Sequence, residues 1–527
     1  MAHDGSEGLS PDGWLPDRIS VGVLTRVFTP ELVDAAVEEA GAREQRRRLL
    51  PARLVVYFVL ALWLFRGRNC GYGQVMTKLA DGLYHQRRAG DLLDGQLDAD
   101  GWVDAGGGRR WKPPNISSLS RGRGKLGPAP VRFLFEQVTG PIGDDGAPGV
   151  SCCGLRVVSV DGSTSDVPDS PANDEHFGRP SNQTRDGAFP QVRWLAAAES
   201  GTGSLLGASL GPYRDSEQAL ARDLLEQGCF GPGMLVLADR KFLSWALARG
   251  FLATGAHILW RASASFALKP VKVLADGTYL AQLMPPRKKD GPPLTVRVIE
   301  YTVHTTAADG AGASSEVFCL VTDLLDVEEY PALDLACCYP RRWGCETVIG
   351  HHKTGMGDGQ PVLRSKDPAG AEQEMWALFA VYQATCKIIG IGAAAAGIPP
   401  DQISFPHALA AATDTIAAFP PDQADLALAT FLAKILMPGF FTRDRPDRAS
   451  PRKPKKAGDF PGPQARRAQR HQSYPPDRVP PALSLAGDLK ARPLAWQRWR
   501  LHENEPPSPD KHLSRLTPVV PISSSTG

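Results

Sequence analysis

The chain has no CxxC pair. Its 9 cysteines include two adjacent couples, Cys152/Cys153 and Cys337/Cys338. That spacing suits neither a zinc knuckle nor an easy disulfide. Buried thiols in a reducing cytoplasm are the expected state. Long apolar runs are missing as well. LVVYFVLALWLF, from Leu54 to Phe65, is too short to span a bilayer and reads as a buried helix. No membrane partner is expected. The chain opens MAHDGSEG, which is no signal peptide. An excess of charge of one sign is nearly absent, at a net +2.

An apolar share of 42% with 22% charged residues is that of a soluble globular protein. A length of 527 residues implies a large domain with additions. The small net charge hides an asymmetry. Between Arg443 and Arg500 there are 15 Lys/Arg and 5 Asp/Glu, a net of +10 that leaves −8 for the rest. A basic arm on a mildly acidic body suits a protein that binds phosphates at its edge and metal ions at its centre. A solvated tail is the plainer alternative. This Pro-, Arg- and Lys-rich region, 441–527, is expected to lack a fixed fold.

Residues 1–139 read as a helical domain. In TPELVDAAVEEAG, Thr29 is placed to cap, Pro30 to open and Gly41 to follow a helix. Later, NISSLSRGRGKLG sets Arg121, Arg123 and Lys125 beside serines. It is either a track for a phosphate backbone or a flexible basic loop. GPIGDDGAPG is a linker by composition.

From about 150 to 440 the pattern becomes α/β. LRVVSV runs into Asp161, a hairpin turns near Gly201 and Gly203, and a helix precedes MLVLAD, which ends in Asp239. A helix and the strand HILWRA follow, giving the order β-β-β-α-β-α-β. From about 263 to 329, three β-patterned stretches suggest an inserted antiparallel subdomain. Helices return at Pro331 and again at DPAGAEQEMWALF.

YPRRWGCETVIGHHK, from Tyr339 to Lys353, places one glutamate among arginines, histidines and a lysine. On a helix opened by Pro340 and capped by Tyr339, the side chains of Tyr339, Arg342, Glu346 and Lys353 share a face. The plain reading is an exposed Arg342–Glu346 pair worth about 0.3–0.5 kcal/mol. The other rests on the order of the acids. Asp161 and Asp239 at strand ends, with Glu346 on a later helix, can converge as hard oxygen ligands for Mg²⁺ or Mn²⁺. Two such ions suit phosphodiester chemistry, and Arg342, Lys353 and the Tyr339 hydroxyl on the same face suit contacts to the neighbouring DNA phosphates. Asp166 and Asp169 follow the first acid, but the strand-end position favours Asp161. His351 and His352 lack a spacing partner for zinc and read as solvated or phosphate-contacting. Arg261 and Arg364 are either surface arginines or DNA contacts.

Tyr339, Arg342, Glu346 and Lys353 fit a Y-(2)-R-(3)-E-(6)-K signature, VDGST surrounds Asp161 and LADRKF surrounds Asp239. In these motifs, and over roughly residues 14–440, the chain resembles the insertion sequence four (IS-four) family of DDE transposases. The resemblance implies a ribonuclease-H-like mixed-sheet core with a β insertion, preceded by a helical domain. It makes Asp161, Asp239 and Glu346 the catalytic, metal-binding triad of two Mg²⁺ or Mn²⁺ ions. The implied partners are double-stranded DNA, both inverted-repeat ends and target, and a second copy of the chain in the DNA complex. The implied place is the bacterial cytoplasm, at the nucleoid. A metal-dependent structure-selective nuclease and a domesticated DNA-binding relative are the alternatives. One departure is the lack of tryptophan between Trp260 and Trp343, where some members stack a flipped base. The large aromatics of the β insertion are Phe266, Tyr279, Tyr301 and Phe318, which read as core residues before stacking platforms.

Overall fold

Apolar patterning and local caps account for the helices that open the chain. In the computed structural model, α1 (Pro30–Glu39) begins where the Thr29 hydroxyl accepts from Leu32 N at 3.2 Å. Pro30 stands where no N–H is needed. α2 (Ala52–Leu64) buries every residue from Leu54 to Leu64. Each large apolar side chain so buried contributes about 1.5–3 kcal/mol. α3 (Tyr72–Arg88), α4 (Ile116–Leu126) and α5 (Ala129–Val138) complete this region. The stretch that allowed a basic loop is therefore helical. Asn115 caps α4 by accepting from Ser118 N at 2.8 Å, and Gly127 ends it at φ +66°.

The structure describes residues 19–43, 50–66, 70–88, 103–104, 110–180, 187–263, 266, 268–306, 313–356, 362–419, 423–437, 441 and 482–485. The expectation for the tail, 441–527, otherwise lies outside the described residues. Contacts divide the chain into two units. The first comprises Met1–Ser151, Val157–Cys229 and Gly344–Arg443; the second comprises Cys152–Arg156, Phe230–Trp343 and Asp444–Gly527.

In the first unit an antiparallel meander follows the helices: β1 (Leu155–Asp166), β2 (Gln191–Glu199) and β3 (Leu205–Pro212), then α6 (Glu217–Glu226). Val192, Trp194, Ala196 and Ala198 of β2 belong to the helical core. Their cross-strand partners are Ser165, Ser163, Asp161 and Ser159. Side chains of paired residues point to the same face of a sheet. Asp161 and the three serines therefore face the helices.

In the second unit β4 (Met234–Ala238) and β5 (His257–Arg261) are parallel, joined by α7 (Trp245–Ala253), since parallel neighbours need a crossover. β6 (Pro270–Val273), β7 (Tyr279–Leu283), β8 (Leu294–Thr306) and β9 (Ala313–Thr322) are antiparallel, as expected. They extend the sheet of β5: β9 pairs with β5 at Leu320↔Arg261, and β8, β7 and β6 follow outward. A short strand, β10 (Ala482–Leu485), pairs with β8. α8 (Ala332–Cys338) closes this part of the chain. Three antiparallel strands, a helix, a strand, a helix and a strand make this a ribonuclease-H-like α/β core.

The first unit resumes at Gly344, in α9 (Trp343–Gly350), and continues with α10 (Pro368–Ala396). Asp367 caps α10 by accepting from Gly370 N at 2.8 Å, and Gly397 ends it in the left-handed region at φ +65°. By length and composition α10 is apolar enough to cross a membrane, but 78% of its apolar window is buried within the protein. Buried polar side chains tie it in place. Gln383 accepts from Leu205 N at 2.6 Å and donates to Val138 O and Gly140 O, both at 3.2 Å. α11 (Phe405–Ala418) and α12 (Ala424–Ile435) pack after it.

Candidate active site

Asp161 was expected at a strand end. It lies in the middle of β1, opposite Ala196. The strand continues because the small residues of GSTSD pair with β2 as readily as the apolar ones before them. What changes at Asp161 is burial. Val157 to Val160 are buried, and Asp161 to Asp166 are half-buried. One Asp161 carboxylate oxygen accepts from Gly162 N at 2.9 Å. Gly162 itself is required by packing, since a Cβ there would lie 3.0 Å from Trp194 O.

Glu346 lies in the first turn of α9, half-buried. Its neighbour Cys345 is buried, with Sγ 4.0 Å from Ala196 O, on the residue paired with Asp161. Gly344 lets this helix approach, because a Cβ there would stand 3.1 Å from Ser200 O. Within the first unit, α9 thus docks on β2 opposite Asp161 and carries Glu346 with it. No periodicity marked Cys345, Gly344 or Ala196 as part of the site. The only local signal was a glycine inside a helical pattern.

In the second unit Asp239 follows the last residue of β4 and is half-buried. Its carboxylate accepts from Lys241 N at 2.7 Å, closing a turn. The expected direct contact between Tyr339 and DNA is not what the geometry offers. Tyr339 is buried, and its hydroxyl donates to Ala238 O at 3.2 Å, one residue before Asp239. Burial pushes that hydroxyl up to about 12, with the Arg342 and Arg261 charges opposing and the Asp239 charge reinforcing. It remains a donor at neutral pH. Arg342 is half-buried beside it.

The single helical face expected from Tyr339 to Lys353 is also corrected. Tyr339 is no cap. α8 leads into a 3-10 turn, Tyr339–Arg342, then into α9, then into a π turn, His351–Gly355. Pro340 is tolerated in the first turn of the 3-10 segment. Three pitches in sequence break the register that 3.6 residues per turn assumes, and a single π turn often marks a functional site. The half-buried Lys353 lines a cleft of ≈ 90 Å³ in the first unit, with Asp166 on another wall. Burial pulls the Lys353 ammonium below its ordinary range, and Asp166 works against that. The histidines, expected to be solvated or to contact phosphate, pack on aromatic rings instead. His351 stacks on Phe405 at 4.6 Å. His352 is buried among Trp194, Phe379 and Tyr382. Burial pulls its imidazole down to about 3, so it is neutral. Its Nδ1 donates to Val348 O at 2.8 Å.

The basic residues of α4 separate. Arg121 and Lys125 are exposed one turn apart. Arg123 is buried and bonded internally, which removes it from any DNA surface. Its guanidinium donates to Gln373 Oε1 at 2.9 Å, Ser365 Oγ at 3.1 Å, Gly370 O and Glu374 Oε1 both at 3.3 Å, and the Tyr72 hydroxyl. The other candidates also have structural roles. Arg364 donates to Cys70 O at 2.8 Å. Arg261 lies 4.1 Å over the Phe318 ring, which stacks on buried Tyr301. Buried Tyr279 donates to Glu300 Oε1 at 3.0 Å. Asp169 pairs with Arg179 at 2.9 Å.

Two family models match in sequence order: "Insertion element 4 transposase N-terminal" over residues 18–136 and "Transposase DDE domain" over residues 153–384. The chain belongs to the insertion element 4 family of DDE transposases. It is 26% identical to InsG of Escherichia coli, the transposase for insertion sequence element IS4, over 383 residues, which are 71% of this chain and 78% of InsG. A solved cryo-EM structure of a piggyBac transposase synaptic complex with hairpin DNA aligns over 86% of this chain and 90% of that one. At 12% identity and a TM-score of 0.38, that likeness is too slight to bear on the site. As a DDE transposase the protein is an enzyme that acts on DNA, and its DDE domain is of a kind that uses divalent metal ions. Asp161, Asp239 and Glu346 suit that need, because carboxylates are hard oxygen donors. Among the described residues no three His, Cys, Asp or Glu side chains form a ready metal cage. The first unit on its own contributes two of the three acids.

Proposed function

We propose that Asp161, Asp239 and Glu346 together hold two divalent ions, Mg²⁺ or Mn²⁺, and that the transposase uses this site to nick its element's inverted-repeat ends and join them to target DNA. The observation that supports this most is the docking of α9, the helix that carries Glu346, on Ala196, the residue paired with Asp161. When bound, the ions supply the Lewis acidity that activates water and steadies the leaving oxygen. The chain's part is placement. In the first reaction a water oxygen bonds to phosphorus and the bond to the element's 3′ oxygen breaks, which frees a 3′-OH. In the second, that 3′-OH attacks a target phosphodiester and the target's own 3′ oxygen leaves. Neither reaction needs a covalent bond between protein and DNA.

Lys353 and Arg342 hold phosphates near the scissile bond in this reading, and Tyr339 acts from inside the second unit, behind Asp239. Arg121 and Lys125 on α4 neutralise backbone phosphates from the helical region to 139, while 150–440 carries the chemistry. Joining two ends at once suits a homodimer on DNA, at work in the bacterial cytoplasm at the nucleoid. The test is alanine replacement of each acid. Asp161→Ala, Asp239→Ala and Glu346→Ala are expected to abolish cleavage in Mg²⁺ and to leave end binding in EDTA nearly unchanged. Full cleavage by any one of them would remove that residue from the site.

A further inference from the structure

Lys353 does not stand alone at its cleft. The apolar walls are Trp63, Leu363 and Leu378, and the polar ones include Ser165, Asp166 and Gln191. Asp166 ends β1 and is clamped twice. Gln191 Nε2 donates to its Oδ1 at 2.7 Å, and its carbonyl accepts from Leu363 N at 2.8 Å. Lys353, by contrast, is a flexible side chain on a π turn. An ammonium has three donors and no fixed plane, so its direction is set by what faces it. A doubly held carboxylate and the ammonium of a long, flexible stem therefore line one cleft.

The other groups around the cleft are neutral or bonded elsewhere. His352, on the same turn, is neutral. Trp63 Nε1 is bonded to Glu374 O at 2.7 Å, and Ser165 Oγ accepts from Trp194 Nε1 at 3.1 Å. Beyond Leu363, Arg364 is bonded to Cys70 O, and Glu374 to Arg364 N, Ser365 and Arg123. Among the residues lining the cleft, Asp166 is the one carboxylate.

We propose that Asp166 is a positioning residue, which orients the Lys353 ammonium toward a phosphate of the bound DNA end without touching the DNA itself. This rests on the reading of Lys353 as a phosphate-holding residue. Gln191 and the end of β1 hold Asp166 back, so it cannot follow the lysine outward and compete for all its donors. Burial alone favours the uncharged amine, and the fixed carboxylate opposes it. Without that carboxylate, Lys353 loses its proton at lower pH, and its hold on phosphate weakens as pH rises. An arginine in its place stays charged throughout.

The test uses the full chain and a labelled inverted-repeat end of its own element, in EDTA, across neutral to alkaline pH. The quantity read is the ratio of Kd between Lys353→Ala and its parent. In the wild-type background a ratio on the order of tenfold is expected at neutral pH, for a lost charged contact. In the Asp166→Asn background the alkaline fall of that ratio is expected at lower pH. Asn keeps the shape and can still accept from Gln191. In Asp166→Asn/Lys353→Arg, tight binding is expected to persist across the range. A ratio of one in the wild-type background would overturn the role given to Lys353. A normal ratio there, with an Asp166→Asn curve that overlays the wild type, would overturn the role of Asp166 alone. Weak binding at every pH by Asp166→Asn/Lys353→Arg would also overturn it, because the loss would then be structural.

Discussion

Replacing Tyr339 by phenylalanine removes one oxygen and tests which way the signature tyrosine works. In the structure that oxygen donates to Ala238 O, and the ring is 3% exposed. A net hydrogen bond is worth about 0.5–1.5 kcal/mol, and a buried carbonyl left without its donor costs about 1–3 kcal/mol. A loss near 1 kcal/mol shifts a midpoint by about 2–4 °C in a domain of 150–250 residues. The functional effect should be larger than the thermal one. Ala238 is the last residue of β4 and Asp239 is the next, so slack in the carbonyl passes directly to the acid. A misplacement of about 1 Å can cost roughly a hundredfold in rate. Single-turnover cleavage in Mg²⁺ should therefore slow by about tenfold to a hundredfold. Affinity for an uncleaved end, measured in EDTA at two salt concentrations, should match the wild type in value and in slope. A weakened, salt-sensitive affinity with an unchanged midpoint would mean that the hydroxyl leaves Ala238 and meets DNA, and would refute the internal role.

Two further outcomes come from packing. Arg123→Met leaves the Glu374 carboxylate, 2% exposed, without its cation, and breaking a buried pair in this way should cost about 3–5 kcal/mol in a denaturant titration. Arg121→Ala and Lys125→Ala, two residues to either side in sequence on exposed positions, should leave that titration unchanged. Each should instead lower the salt slope of end binding by about one. Gly344→Ala pushes a methyl to within 3.1 Å of Ser200 O. Overpacking of this kind costs about 1–3 kcal/mol, and cleavage should fall because Glu346 moves with its helix, while end binding holds.

Much of the fold was legible because it rests on local chemistry. Thr29 with Pro30, and Asp367 with Pro368, announce their helices through the groups that satisfy the first N–H donors. The buried strand before Asp161 and the apolar MLVLA before Asp239 were legible for the same reason. Asp161 was nevertheless misplaced at a strand end, since the drop in burial there is real but the pairing with β2 continues. Arg123 was misassigned because its partners lie at 365–374, roughly 250 residues away, and spacing carries no trace of them. Tyr339 was misread on the assumption of one helical pitch, and the histidines because spacing carries no trace of the aromatic rings they meet. The succession of 3-10, α and π turns is set by packing of Cys345, His351 and His352 against the core, not by propensity. α10 escaped notice as an apolar span because Gln373, Glu374 and Gln383 interrupt it, and those residues are the ones that fasten it.

The Arg123 network limits how this enzyme can exchange parts with its relatives. α4 belongs to the N-terminal family segment, while Ser365, Gln373 and Glu374 belong to the catalytic one. Two segments that exchanged freely between elements would be expected to meet through neutral, forgiving surfaces. These meet through a guanidinium whose contacts are all internal. A chimera that joined this helical module to a foreign catalytic domain would carry a stranded cation into an apolar seam, and the reciprocal chimera would carry a stranded carboxylate. An exchange across this seam therefore has to carry residues 115–127 and 365–374 together as one block, whereas exposed positions such as Arg121 and Lys125 can be substituted without disturbing it.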